Sequence, residues 1–302
     1  QEQVMTTEIP NSKRIIDQLI KDLNKMIGLE SVKKLILELY AFLEIQKRRL
    51  KENLATEPMV LHMVFKGNPG TGKTTVARIF GKLFKELNIL SRGHIIEVER
   101  ADLVGEYIGH TAHRTREQIK KALGGVLFID EAYSLARGGE KDFGKEAIDV
   151  LVKAMEDHKN NFILILAGYK DEMEWFLKTN PGLRSRFPLH IDFPDYSVAE
   201  LLDIAKVMAE ERQYYFSVDA YNELERILRK NTFLGHCRNG NARLVRNLLE
   251  RSIRLQAARL ITQKNISRED LLTLKREDIQ NLEDFSFKDS RVESKNYNSA
   301  VN

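Results

Sequence analysis

The stretch Gly67-Asn68-Pro69-Gly70-Thr71-Gly72-Lys73-Thr74 constrains this chain more than any other. It has the form G-x-x-x-x-G-K-[ST], in which backbone N–H groups cradle phosphates. Its flanks fit that reading. Met59 to Phe65 is an apolar run that predicts a buried strand, and Thr75-Val76-Ala77-Arg78-Ile79-Phe80 spaces its apolar residues as a helix does. Strand, tight turn and helix N-terminus together aim several N–H groups at one point, where the helix dipole favours an anion. Gly70 and Gly72 supply the backbone freedom such a turn demands. Lys73 then reaches the β- and γ-phosphates of ATP or GTP, and the Thr74 hydroxyl helps to hold Mg²⁺.

Around this loop, apolar runs alternate with helical patterns. His94 to Val98, Val126 to Ile129, Phe162 to Ala167 and Leu189 to Phe193 read as strands, the last alternating like an edge strand. Helices are expected at Thr111 to Leu123, Phe143 to His158 and Asp171 to Lys178. Strands apolar on both faces and separated by helices predict a parallel sheet covered on both sides. Two further helices, Ser12 to Lys25 and Ser31 to Leu50, precede the sheet, with Gly28 between them. After Pro194 the alternation stops, and Val198 to Gln213, Val218 to Lys230, Asn241 to Ile261 and Arg276 to Leu282 all read as helices. The expected division is therefore a helical segment over 1–57, an α/β nucleotide-binding domain over 58–195, a helical lid over 196–289 and a disordered tail over 290–302. Trp175 is expected in the core.

Composition narrows the function classes. A formal net charge of +4 over 302 residues is too diffuse to argue for nucleic acid as a partner. One cysteine, Cys237, excludes an internal disulfide framework and suits a reducing cytoplasm. No segment approaches the apolar length of a membrane span, and no secretory signal is visible.

The strand ending in Ile129-Asp130-Glu131 supplies the second half of a triphosphatase site. Asp130 can hold Mg²⁺ through water, and Glu131 can polarise the attacking water as general base. An adjacent Asp-Glu pair favours hydrolysis over transfer to a second substrate. Gly182-Leu183-Arg184-Ser185-Arg186-Phe187 falls at the carboxyl-end rim of the sheet, where an arginine can enter a neighbouring subunit's site or simply form a surface salt bridge. Arg243 follows Gly240-Asn241-Ala242 at a helix start, with Asn241 as a cap, and could meet the γ-phosphate; spacing alone assigns neither arginine. In Asp102 to His110, two glycines flank Tyr107 and Ile108. That tip either contacts something outside the chain or folds back onto the core. His110 and His113 have no third ligand nearby in sequence and read as non-metal.

Taken together, Gly67 to Thr75, Gly105 to Thr111, Phe128 to Leu135 and Asn180 to Phe187 resemble the AAA+ ATPases, and within them the stage V sporulation protein K and CbbX family. The likeness runs from about Gly28 to the helix at Arg243. It implies a sheet of strand order 5-1-4-3-2, a helical lid and a homo-oligomeric, hexameric ring with ATP sites between subunits. It implies Arg186, with Arg184, as a finger acting in trans, Arg243 as a lid sensor, and Tyr107 with Ile108 as a pore loop gripping an unidentified client protein. The implied activity is ATP-driven protein remodelling in the cytoplasm, with sporulation as its setting. The alternatives are a CbbX-like rubisco activase and a nucleotide switch or nucleic-acid-loading ring. One departure is Ala167-Gly168-Tyr169, where many AAA+ proteins end the fourth strand with a polar sensor; Tyr169 is the available hydroxyl.

Overall fold

The computed structural model describes residues 11–56, 59–107, 109–137, 143–159, 161–233 and 240–280. The expected tail, the first ten residues, Pro58 and Cys237 lie outside them. The chain divides into two compact units, one running through Tyr196 and including Asn241, the other beginning at Ser197 and resuming at Ala242.

The first unit opens with α1 (Asn11–Lys25) and α2 (Glu30–Lys51). Its sheet is wholly parallel and five-stranded: β1 (Met63–Gly67), β2 (Ile95–Val98), β3 (Val126–Ile129), β4 (Ile163–Gly168) and β5 (Leu189–Phe193), in the order β2-β3-β4-β1-β5. Between them lie α3 (Lys73–Glu86), α4 (Arg100–Leu103), α5 (His110–Ala122), a 3₁₀ turn (Ala132–Ala136), α6 (Gly144–Asp157), α7 (Lys170–Thr179) and α8 (Pro181–Arg184). β3 and β4 are buried at every position, which is why their sequences show no alternation. The strand pleat divides their side chains between two cores. Val64, Leu127, Ile129, Leu164 and Leu166 pack with Ile148, Leu151 and Met155 of α6. Phe65 points the other way, with ring centroids 6.2 Å from Phe80 of α3 and 5.0 Å from Phe193.

The strand predicted from Met59 starts only at Met63. β5, on one side, begins with Leu189 opposite Met63, whereas β4, on the other, begins at Ile163 and pairs with Met63 only at Ile165. His62, just before β1, turns inward between the Phe162 and Phe187 rings. Its Nδ1 accepts the Leu164 N–H at 3.0 Å. Burial pushes the imidazole down to about 4 from its ordinary 6.5, against a backbone hydrogen bond to Met155. Trp175 corrects the sequence reading, because it is 44% exposed. α7 buries Met173, Phe176 and Leu177, and that stripe leaves position 175 on the outer face.

The second unit holds α9 (Val198–Glu210), α10 (Val218–Phe233), α11 (Asn241–Leu260) from Ala242 onward, α12 (Arg268–Leu272) and α13 (Glu277–Gln280). A capping box between Ser197 and Glu200 starts α9. Contrary to the expectation of helices alone, Tyr215–Phe216 (β6) pairs in parallel with Thr273–Leu274 (β7). The helix expected to Gln213 accordingly stops at Glu210, and the one expected from Arg276 begins at Glu277. Buried Asp278 accepts both Nε and Nη2 of Arg259 at 2.9 Å, a bidentate pair that closes this unit.

Candidate functional site

The loop after β1 is shaped by close approach. A Cβ at Gly67 would lie 2.4 Å from the Phe193 carbonyl oxygen, so only glycine lets β5 pass. Gly70 and Gly72 hold φ of 73° and 94°, in the left-handed region. Gly72 caps α3 without any side-chain hydrogen bond, leaving the first helical N–H groups facing the loop. The Thr71 hydroxyl donates to the Asn68 carbonyl, and Lys73 Nζ donates to the Gly67 and Asn68 carbonyls, all at 2.8 Å. Lys73 is thus a buried cation folded along the concave side of its own loop. Thr74 is half-buried and Thr75 exposed.

Further side chains hold the loop from behind, and the sequence reading had not found them. Asn68 Nδ2 donates to both oxygens of Asp195 at 2.9 and 3.0 Å, and the Tyr196 hydroxyl donates to the Thr71 carbonyl. Asn241, fully buried, donates to Asp195 at 2.8 Å and to the Pro69 carbonyl, while its Oδ1 accepts the Tyr196 N–H. That oxygen is therefore not the helix cap expected of it. Beside the turn, Met26 and Leu29 come within about 3.5 Å of a Cβ built on Gly72, an apolar wall suited to the face of a nucleobase. Gly28 and Leu29 both have positive φ. The one signal of this wall in the sequence was Gly28, read there only as a separator.

Asp130 and Glu131 follow β3, which β4 separates from β1. Asp130 Oδ1 accepts the Glu131 N–H at 3.0 Å. Glu131 itself has φ 47° and ψ 42°, a left-handed conformation that costs a residue with a Cβ on the order of 1–2 kcal/mol. Strain of this kind gathers where side-chain direction matters, here at the residue read as general base. Thr74 and Asp130 are hard oxygen donors of the kind Mg²⁺ requires. At the end of β4 a Cβ on Gly168 would lie 2.7 Å from the Tyr133 ring, which excludes a larger residue there. Tyr169 packs its ring against the same tyrosine, centroids 6.1 Å apart.

Arg184 and Arg186 lie on the rim after α7, between the buried anchors Leu183 and Phe187 or beside them. Arg184 is exposed. Arg186 donates through Nε (3.1 Å) and Nη2 to one oxygen of Glu156 on α6, and through Nη1 to the Gly182 carbonyl at 2.8 Å. Arg243 is exposed in the first turn of α11, in the second unit.

The segment after β2 has a fixed base and an exposed tip. The Gly105 N–H donates to Thr111 Oγ1 at 2.9 Å, Thr115 Oγ1 to the Leu103 carbonyl at 3.1 Å, and Arg114 to the Val104 carbonyl at 3.1 Å. A Cβ on Gly105 would strike His110 at 2.5 Å. Tyr107 is 66% exposed and, among the described residues, makes its ring contact edge-on with His110, centroids 5.5 Å apart, so it is not folded into the core. Ile108 lies outside the described residues.

Comparison with known proteins agrees with this geometry. Residues 63–195 match the ATPase family associated with various cellular activities (AAA), and residues 197–290 match the AAA lid domain. Stage V sporulation protein K of Bacillus subtilis is 55% identical over 90% of this chain and 85% of its own. Protein CbbX of Cereibacter sphaeroides is 45% identical, over 89% and 86%. The chloroplastic ribulose bisphosphate carboxylase/oxygenase activase of Cyanidioschyzon merolae is 44% identical, over 87% and 91%. Among solved structures, RuvB of Thermotoga maritima shares the fold, with a TM-score of 0.56 at 24% identity over 86% of this chain and 70% of that one.

Proposed function

As a member of the AAA ATPase family this chain hydrolyses ATP, and from that premise we propose that it is a protein-remodelling motor working as a hexameric ring. The observation that carries the reading is Tyr107, an exposed aromatic on a base braced by Thr111, Thr115 and Arg114, on the same sheet as the phosphate loop. The loop glycines, Asn68, Pro69, Thr71 and the α3 N-terminus bind the triphosphate, and Lys73 neutralises its terminal charge. Thr74, with Asp130 through water, would hold Mg²⁺, which would supply positive charge beside the γ-phosphate. Glu131 takes the proton of the attacking water. Arg186 from the adjacent subunit, with Arg184 beside it, stabilises the charge that develops. Arg243 reports the γ-phosphate to the lid, and Tyr107 with Ile108 grips the client in the pore. The functional division proposed is 1–57, 58–195, 196–289 and 290–302.

The setting proposed is sporulation in the cytoplasm, resting on the name of the Bacillus subtilis relative. Its rival is rubisco activation, resting on the name of the algal one. An ATPase assay with and without an unfolded polypeptide such as casein tests the motor. The parent is expected to be stimulated, and Tyr107→Ala to keep the basal rate and lose the stimulation. A large fall in melting temperature for Tyr107→Ala, with the basal rate lost, would overturn the pore-loop role.

A further inference from the structure

Glu156 stands on the last turn of α6 beside Asp157, in a turn that contains no basic residue. A carboxylate there opposes the helix dipole, so helix energetics do not account for it. What it does is hold Arg186. Both Nε and Nη2 of that guanidinium rest on Glu156 Oε1, and Nη1 rests on the Gly182 carbonyl. Three of about five guanidinium N–H donors are thereby engaged, and two remain for another acceptor. The backbone is fixed independently, since Leu183 and Phe187 are each almost fully buried. Glu156 fixes the side chain.

We propose that Glu156 is a positioning residue for the trans-acting arginine, orienting the Arg186 guanidinium so that its two remaining N–H groups face the neighbouring subunit's phosphate. The inference rests on the reading of Arg186 as that finger. A long side chain free to sample its rotamers spends little time in the one productive geometry, and a carboxylate oxygen holding two of its nitrogens removes that search. An exposed ion pair adds little to folding stability, so the effect belongs to turnover and not to the fold.

The test uses the full chain with Glu156→Ala, Glu156→Gln, Arg186→Ala and the Glu156→Ala/Arg186→Ala double variant. Steady-state ATPase, assembly by sedimentation and thermal melts are measured for each. Glu156→Ala is expected to lower kcat by about tenfold, with KM, assembly and melting temperature unchanged. Glu156→Gln, which keeps an acceptor oxygen, recovers part of the loss. In the Arg186→Ala background, Glu156→Ala has no further effect, because the group it orients is gone. An unchanged or raised kcat for Glu156→Ala, beside a crippled Arg186→Ala, overturns the inference alone and points to a parking contact. Additive losses in the double variant, or lost assembly, also overturn it. If Arg186→Ala turns over ATP at the parent's rate, the finger reading fails and this inference falls with it.

Discussion

Lys73 and Glu131 make separable demands on the same nucleotide. Lys73 lies on the carbonyls of its own loop, and its proposed role is to supply the positive charge for the terminal phosphates. Lys73→Ala is therefore expected to abolish detectable ATP binding by calorimetry. Glu131→Gln leaves Asp130 and the loop in place, so it is expected to bind ATP while turnover falls roughly 10²–10⁴-fold. Hydrolysis by Glu131→Gln at the parent's rate would show that another group is the base. His62 gives a residue-scale prediction for stability. The unfolded chain binds a proton near pH 6.5, whereas the folded one resists it to about 4. Stability from this site is thus complete above pH 6.5 and is lost as pH falls toward 4, by on the order of 3 kcal/mol at most. The melting temperature is expected to fall more steeply from pH 7 to 4 for the parent than for His62→Asn. Equal slopes would mean that other groups carry the acid sensitivity.

At the scale of elements, the loop after β1 tolerates little. A side chain at position 67 meets the Phe193 carbonyl before anything can relax, so Gly67→Ala is expected to destabilise the first unit by roughly 1–3 kcal/mol, read from denaturant unfolding. Parent-like unfolding would mean that β5 can shift. The elements most legible in the sequence were those whose burial is simple. β3 and β4 are covered on both faces and announce themselves as unbroken apolar runs. β6 and β7 are two residues each and depend on pairing with one another across more than fifty residues, so no local pattern marks them. Trp175 misled for a related reason: one large residue does not reveal a helix face, whereas Met173, Phe176 and Leu177 together do. In the site, the residues contiguous in sequence were legible. The brace of Asp195, Tyr196 and Asn241 on the loop, and of Glu156 on Arg186, joins residues thirty or more positions apart and needed the fold.

In the whole molecule, the proposed motor requires that a subunit bind ATP but be unable to complete its own transition state. Arg186 sits on the rim, held by Glu156, and its proposed place of action is the neighbour's nucleotide. Arg186→Ala is expected to bind ATP normally and lose roughly 10³-fold or more in kcat. The most direct measurement mixes Arg186→Ala subunits, whose pockets are intact, with Lys73→Ala subunits, whose fingers are intact. Each alone is expected to be inactive. Random assembly in equal amounts pairs an intact pocket with an intact finger at about a quarter of interfaces, so ATPase activity is expected to reappear on mixing. No recovery in rings shown by labelling to contain both subunits would contradict the account.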